Sequence, residues 1–422
     1  MLQGVSRTPR HQLIGGLGTG KTGAAILLTG ARALATGGWP GLFVLAPLQV
    51  ALAWRNELPR WRPDLKLSLV AGTAKERESA IKASADVYVM GYDNLPWLDK
   101  YGPKDWGAFG KQMVCDESQR LRGTRVHVQT SSLGKRTLIT HKSGVQTGAL
   151  ARHAGDFPYW LNMTGTPCPN GLQNWWPQLW YIDGGHRLGN SFTAFEERWF
   201  ARPVRGGDFA KPLPLPGAAE EITARIKDVV TVVRTEDYFK LDEPLLVERE
   251  VELPRPVMVK YRSMRDRMLL EIKEGLETRS ITVQGAGAKI AKLLQIAAGF
   301  AYYRDEDMDP DLQQCEQLHT AKLDAVDSIL SELDENLVIF YQHKAMLDML
   351  QARFKNRLTV LDKKGVAQDD WNAGKIEILA VQYQRGGAGL SLQHGGRSMC
   401  FIEPTYRADD YEQACARLGP LR

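Results

Sequence analysis

Apolar residues fall in short runs along the chain, most of them closed by glycine, proline or a charged residue. Residues 11–14 read as a strand entering a glycine loop, and 22–35, rich in Ala and Leu, as a helix stopped by Gly37 and Gly38. Residues 41–46 form a buried-strand pattern ended by Pro47, and further strands are predicted at 87–90, 111–115, 159–163 and 229–233. Strands this short and this apolar, separated by helical stretches, indicate a mainly parallel sheet covered on both faces. Residues 203–216, rich in Pro and Gly, read as a loop. A strand is expected at 248–253, with Pro254 and Pro256 breaking the chain after it. A second parallel-sheet lobe is predicted beyond: helices at 262–274, 289–300, 322–333 and 345–354, strands at 337–340, 376–381 and 399–403, then a helical C-terminal stretch. The domains are therefore expected at 1–256 and 257–422.

A chain of 422 residues is long for a single core, which agrees with two lobes. With 43% hydrophobic and 24% charged residues the composition is that of an ordinary globular protein. The apolar segment 15–30 contains Lys21 and is too short to span a membrane, and the start lacks a signal-peptide pattern, so the expected location is the cytoplasm, the host's if the chain is viral. The five cysteines show no CxxC spacing and imply neither a structural metal nor disulfides. A net charge of +5 says little. More telling is that no acidic residue lies between Glu117 and Asp156, while Arg120, Arg122, Arg125, Lys135, Arg136, Lys142 and Arg152 do. A solvated loop accounts for part of this bias; a surface that contacts phosphates accounts for more of it.

The strongest chemical signal is Gly15-Gly-Leu-Gly-Thr-Gly-Lys-Thr22, between a predicted strand and a predicted helix. Gly16, Gly18, Thr19 and Gly20 let backbone N–H groups face a phosphate without a Cβ in the way, and the helix adds the positive end of its dipole. Lys21 is placed to reach the β- and γ-phosphates of a nucleotide, and Thr22 to hold Mg²⁺. Asp116 and Glu117 end another predicted strand, where parallel sheets bind ligands. Asp116 is the second candidate Mg²⁺ ligand and Glu117 the candidate base for the attacking water. ATP and Mg²⁺ are the implied substrate and ion.

With these residues in place, the chain resembles the superfamily 2 helicases, and among them the Swi/Snf-type DNA-translocase ATPases, including short viral and bacterial members. Asp116-Glu-Ser-Gln119 is similar to the family's DEAH-like box, with Ser118 and Gln119 departing from the usual pair. Pro47 followed by Trp54, Glu57 and Trp61 resembles region Ia, and Met90-Gly-Tyr-Asp93 region Ib. Thr164-Gly-Thr-Pro167 with Asn170 resembles motif III, Leu337-Val-Ile-Phe-Tyr-Gln342 motif IV, and Gln384-Arg-Gly-Gly-Ala-Gly-Leu-Ser-Leu-Gln393 motif V. Gln413-Ala-Cys-Ala-Arg417 resembles the first half of motif VI. The resemblance implies two tandem RecA-like P-loop lobes. It implies that Thr164 and Thr166 link the nucleotide to the nucleic-acid track and that Gly387 and Gly389 approach nucleotide and phosphates. It also implies that Gln413 and Arg417 act on the γ-phosphate. Gln413 and Arg417, four apart, are expected on one face of the last helix, with Arg422 beyond Gly419 and Pro420 taking no part.

The chain departs from the family at both extremities. The phosphate loop starts at Gly15, leaving Gln12 as a poor substitute for the upstream adenine-reading glutamine; Pro420 stands where a second arginine is usual. Three functions compete. The first is translocation on double-stranded DNA driven by ATP hydrolysis. The second is strand separation of DNA or RNA, ranked lower because no wedge-like insertion is apparent. The third is a degenerate nucleic-acid-binding protein with weak or no ATPase. Lys135, Arg136 and Lys142 are the candidate phosphate contacts; a protein partner that completes or regulates the motor fits the altered ends. Trp175, Trp176 and Trp180 are expected in the core rather than against bases.

Overall fold

The computed structural model describes every residue except 17, 131–135, 141–142, 170, 202–211, 235–244, 279–282, 304–313, 363–365, 384–391, 406–407, 416 and 419–422. The chain divides into two units, one spanning Met1–Leu241 and the other taking over at Asp242.

The first unit is organised by a seven-stranded sheet. Its strands are β1 (Arg10–Gly15), β2 (Leu42–Ala46), β3 (Leu67–Val70), β4 (Val87–Gly91), β5 (Gln112–Asp116), β6 (Tyr159–Thr164) and β7 (Val230–Val233), in the order β7-β1-β6-β5-β2-β4-β3. All pairings are parallel. Every residue of β2, β4 and β5 is buried, which is why they read as continuous apolar runs. Alternation along each strand sorts the side chains onto two faces. Phe43, Leu45, Met113, Cys115 and Trp160 pack in one cluster, and Leu42, Val44, Ala46, Val114 and Leu161 in another. Each face is then covered by helices, so the class is α/β with parallel sheets, as the pattern predicts.

Helix α1 (Lys21–Thr36) covers one face and ends at Gly37, whose φ of 79° lies in the left-handed region that glycine tolerates. Helix α2 (Leu48–Trp61) starts directly after Pro47 and keeps Pro59 in its last turn. Trp176 and Trp180, on α3 (Trp175–Asp183), are buried in the core, as expected. Arg10 donates to the carbonyls of Tyr181 (2.9 Å), Ala154 (2.8 Å) and Phe157 (2.6 Å), tying the start of β1 to neighbouring elements. Between β5 and β6 the structure contains an antiparallel pair, His127–Thr130 with Arg136–Ile139. This insertion was not predicted, because both arms are short and carry polar residues.

The second unit carries a four-stranded parallel sheet, β8 (Leu337–Tyr341), β9 (Leu358–Val360), β10 (Ile378–Gln382) and β11 (Ser398–Phe401), in the order β9-β10-β8-β11. Helices Ala321–Glu332 and Lys344–Phe354 pack on it through Leu323, Val326, Met346 and Leu350. Three expectations need correction. Residues 248–253 alternate like a strand but pair with nothing among the described residues and form no regular element. Pro256 does not break the chain: a helix runs from Arg255 to Thr278, with proline in the first turn, where its missing N–H costs nothing. The helix expected at 289–300 is Val283–Ala298, and Phe300–Tyr303 instead pairs antiparallel with Gln314–Gln317.

Candidate nucleotide site

Strand register brings the first unit's chemistry to one level. Ile14 of β1 lies opposite Thr164 of β6, and Met163 of β6 lies opposite Asp116 of β5. The phosphate loop, the Thr164-Gly-Thr-Pro167 turn and the Asp116–Glu117 pair therefore leave three adjacent parallel strands at the same end, where such sheets bind ligands. A Cβ on Gly165 would lie 3.4 Å from the Gly15 carbonyl oxygen, a measure of how closely the two turns approach.

The loop turns through Gly18 (φ 79°) and Gly20 (φ 78°), and Gly20 caps α1. A Cβ at Gly20 would meet nothing within 4 Å, so its backbone faces open space. Thr19 Oγ1 donates to the Gly16 carbonyl at 2.8 Å. Lys21 Nζ donates to the carbonyls of Gly15 (2.7 Å) and Gly16 (2.8 Å), which holds the ammonium over the loop. Thr22 is half-buried in the first helical turn.

Asp116 is 5% exposed. Its Oδ2 accepts from Trp54 Nε1 (2.9 Å) and its Oδ1 from the Glu117 amide (3.1 Å). Burial, then the neighbouring Glu117, push its pKa up to about 6, while the Trp54 indole and Lys21 pull the other way. A carboxylate raised in this way is one that a cation would stabilise. Among the described residues no cluster of three or more His, Cys, Asp or Glu could hold a metal unaided.

Glu117 has φ 54°, left-handed backbone that non-glycine residues rarely adopt. Its Oε2 accepts from Gln119 Nε2 at 2.9 Å, and Gln119 Oε1 accepts from Thr164 Oγ1 at 2.7 Å. Thr164 Oγ1 in turn accepts from the Thr166 amide at 3.1 Å. Beneath this chain lies a second one: Ser118 Oγ donates to Gln178 Oε1 (2.8 Å), whose Nε2 donates to the Pro167 carbonyl (2.6 Å). Trp54, Gln119 and Gln178 are contributors that sequence reading did not assign. The indole of the W–x–x–E pattern was the signal for Trp54; nothing pointed to Gln178.

Gln12 is fully buried and donates to Ser118 Oγ at 3.3 Å, which removes it as a base-reading group. Of the basic stretch, the half-buried Arg125 stacks 3.5 Å from the Phe192 ring centroid, and the exposed Arg152 pairs with Asp99 at 2.5 Å. Arg120 and Arg122 are exposed. Lys135 and Lys142 lie outside the described residues, as do Asn170, Gly387, Gly389 and Arg422; Arg136 is described only through its backbone.

In the second unit, Gln413 is half-buried on the helix Ala408–Cys415. That helix stops before Arg417, so the two residues do not share a helical face. Arg417 occupies a turn, its amide bonded to the Ala414 carbonyl at 3.0 Å, and it is fully buried. Glu403 follows β11 and is 3% exposed; its Oε2 accepts from the amides of Gln342 (2.7 Å) and His343 (3.0 Å), and its Oε1 pairs with His343 Nδ1 (2.7 Å).

No family model matches the chain. It is 34% identical over 420 residues to protein p41 of Acyrthosiphon pisum secondary endosymbiont phage 1, an alignment covering 98% of this chain and 85% of p41. It is 26% identical over 200 residues to helicase swr1 of Aspergillus fumigatus, covering 44% of this chain and 10% of that protein. The ATP-dependent helicase BRM of Arabidopsis thaliana aligns over 95% of this chain at 22% identity, the chain spanning 19% of that protein. Shared ancestry with p41 over nearly its whole length, and with the helicases over a fraction of theirs, means that the chain belongs to the family of p41, a family homologous to the SNF2/SWI2-like helicases.

Proposed function

We propose that this chain hydrolyses ATP and couples the hydrolysis to translocation on, or remodelling of, double-stranded DNA. The carrying observation is the convergence, at the ends of β1, β6 and β5, of a lysine-bearing glycine loop, a threonine turn and a carboxylate pair. Homology to helicases, one of them named as ATP-dependent, supports the same reading. The two parallel-sheet units are taken as tandem RecA-like lobes.

In this reading the backbone amides around Gly18 and Gly20 cradle the phosphates and Lys21 exchanges its loop carbonyls for β- and γ-phosphate oxygens. Asp116 and Thr22 hold Mg²⁺, which neutralises phosphate charge when bound. Glu117 takes the proton of the attacking water. Arg417 keeps its assignment to the γ-phosphate through the motif VI resemblance, and from its buried position it would first have to turn outward. The acid-free stretch, with Arg120 and Arg122 exposed, is the candidate track for duplex phosphates.

The test is ATP turnover by the wild type and by Lys21→Ala, with and without duplex DNA. The wild type should turn over ATP, faster with duplex, and the variant should lose at least ~10²-fold. Turnover that survives in the variant would sink the assignment, and an inactive wild type would favour a degenerate binding protein. The hairpin between β5 and β6 favours strand separation as a second reading; release of a labelled strand from a forked duplex distinguishes it from translocation without unwinding.

A further inference from the structure

We infer that Gln119 is the positioning residue for the water-activating carboxylate, and that it makes the orientation of Glu117 depend on the Thr164 turn. The inference rests on the proposed ATP hydrolysis and adds to it. Gln119 and Ser118 are the two places where the DEAH-like box departs from its usual pair, and both departures are bonded toward the same turn. Gln119 reaches Thr164 directly; Ser118 reaches Pro167 through Gln178.

The direction of each hydrogen bond in the upper chain is fixed by chemistry. An ionised Glu117 can only accept, so the bond at 2.9 Å requires the Gln119 NH₂ on that side. The Gln119 carbonyl then faces Thr164, whose hydroxyl must donate at 2.7 Å. The Thr164 oxygen is thereby left to accept from the Thr166 amide at 3.1 Å. The order runs from the backbone of the turn to the carboxylate, and flipping the Gln119 amide would set its carbonyl oxygen against the Glu117 carboxylate. Glu117 sits on left-handed backbone and is only half-buried, so packing alone does not select its rotamer. The bond to Oε2 supplies that selection and leaves Oε1 for a water. A turn that shifts with Thr164 would carry the amide, and with it the carboxylate, into or out of line.

Three substitutions and one double variant test this, each with its melting temperature measured. Gln119→Leu removes both bonds. Gln119→Glu keeps the shape but cannot donate and sets a like charge beside Glu117. Gln119→His can donate from one ring nitrogen and accept on the other, with a spacing close to that of the amide. Gln119→Leu and Gln119→Glu should lower kcat by about 10- to 10²-fold with KM for ATP within about threefold. Gln119→His should recover most of the loss. Thr164→Val combined with Gln119→Leu should be little worse than Gln119→Leu alone, because both act through one bond. The inference is overturned if Gln119→Leu turns over within twofold of wild type. It is equally overturned if kcat, KM and melting temperature fall together without rescue by histidine, or if the double variant is additive. A wild type with no ATP turnover would remove the hydrolysis reading itself, and this inference with it.

Discussion

Asp116 and Glu403 occupy equivalent places in the two units. Each stands at or just after the C-terminal end of a parallel strand, and each is almost completely buried, at 5% and 3% exposure. Their hydrogen bonds set them apart. Glu403 has three partners, the Gln342 and His343 amides on one oxygen and the His343 ring on the other. It closes the N-terminus of the helix Lys344–Phe354 as a cap contributed by a neighbouring strand. Asp116 has two partners, one indole and one amide, and stands beside a second carboxylate; burial first, then Glu117, raise its pKa to about 6. Burial of a strand-end acid is therefore no sign of a site by itself. What separates a ligand-seeking carboxylate from a structural one is whether the protein has already satisfied it.

The largest effect should come from removing the Asp116 charge. Asp116→Asn should cut the proposed ATP turnover at least ~10²-fold, since it removes the charge proposed to hold Mg²⁺. Its melting temperature should change little, because relief of repulsion from Glu117 and of the cost of burying a charge offsets the new amide N–H set against the Trp54 indole or the Glu117 amide. A large loss of stability would show that Asp116 is structural and break the contrast. Glu403→Leu should behave in the opposite way. It leaves the Gln342 and His343 amides without their carboxylate acceptor, at a cost of about 2 kcal/mol, seen as a lower melting temperature. Nucleotide affinity should stay within about twofold. Loss of turnover without loss of stability would instead put Glu403 in the chemistry.

The smallest effect carries the same accounting to the opposite end of β1. His11 lies between Thr8 Oγ1 (3.0 Å) and Thr231 Oγ1 (2.9 Å), and burial holds its pKa down at about 4 against an ordinary 6.5. Between these values the unfolded chain takes up a proton that the folded chain refuses. Stability present above pH 6.5 is therefore lost as pH falls toward 4. Gln at position 11 cannot titrate, so His11→Gln should flatten the melting-temperature profile over that window. An unchanged slope would show that carboxylates elsewhere account for it.

The central strands of the first unit's sheet were legible because they are buried on both faces and leave an unbroken apolar record, as at residues 42–46 and 112–116, whereas the edge strand β3, buried only at alternate positions, was missed. The phosphate loop and carboxylate pair were legible because their backbone needs are local. Features that depend on a distant partner were not. Residues 248–253 have the alternation of a strand but, among the described residues, no neighbouring strand to complete it. Gln413 and Arg417 have helical spacing, yet the helix stops at Cys415. Gln178 reaches the Pro167 carbonyl from a helix whose sequence signals only core packing. Trp54 could be placed in a motif, while the direction of its indole N–H, toward Asp116, required the fold.

The left-handed backbone at Glu117 sets two selections against each other. A residue with a Cβ held at φ 54° costs roughly 1–2 kcal/mol, which glycine would recover. A library at this position sorted only for heat resistance should drift toward glycine or asparagine, while one sorted for the proposed turnover should retain glutamate. The chain holds this carboxylate against its own conformational preference, and the survival of glutamate at position 117 under sorting for turnover would record selection for chemistry over that for folding.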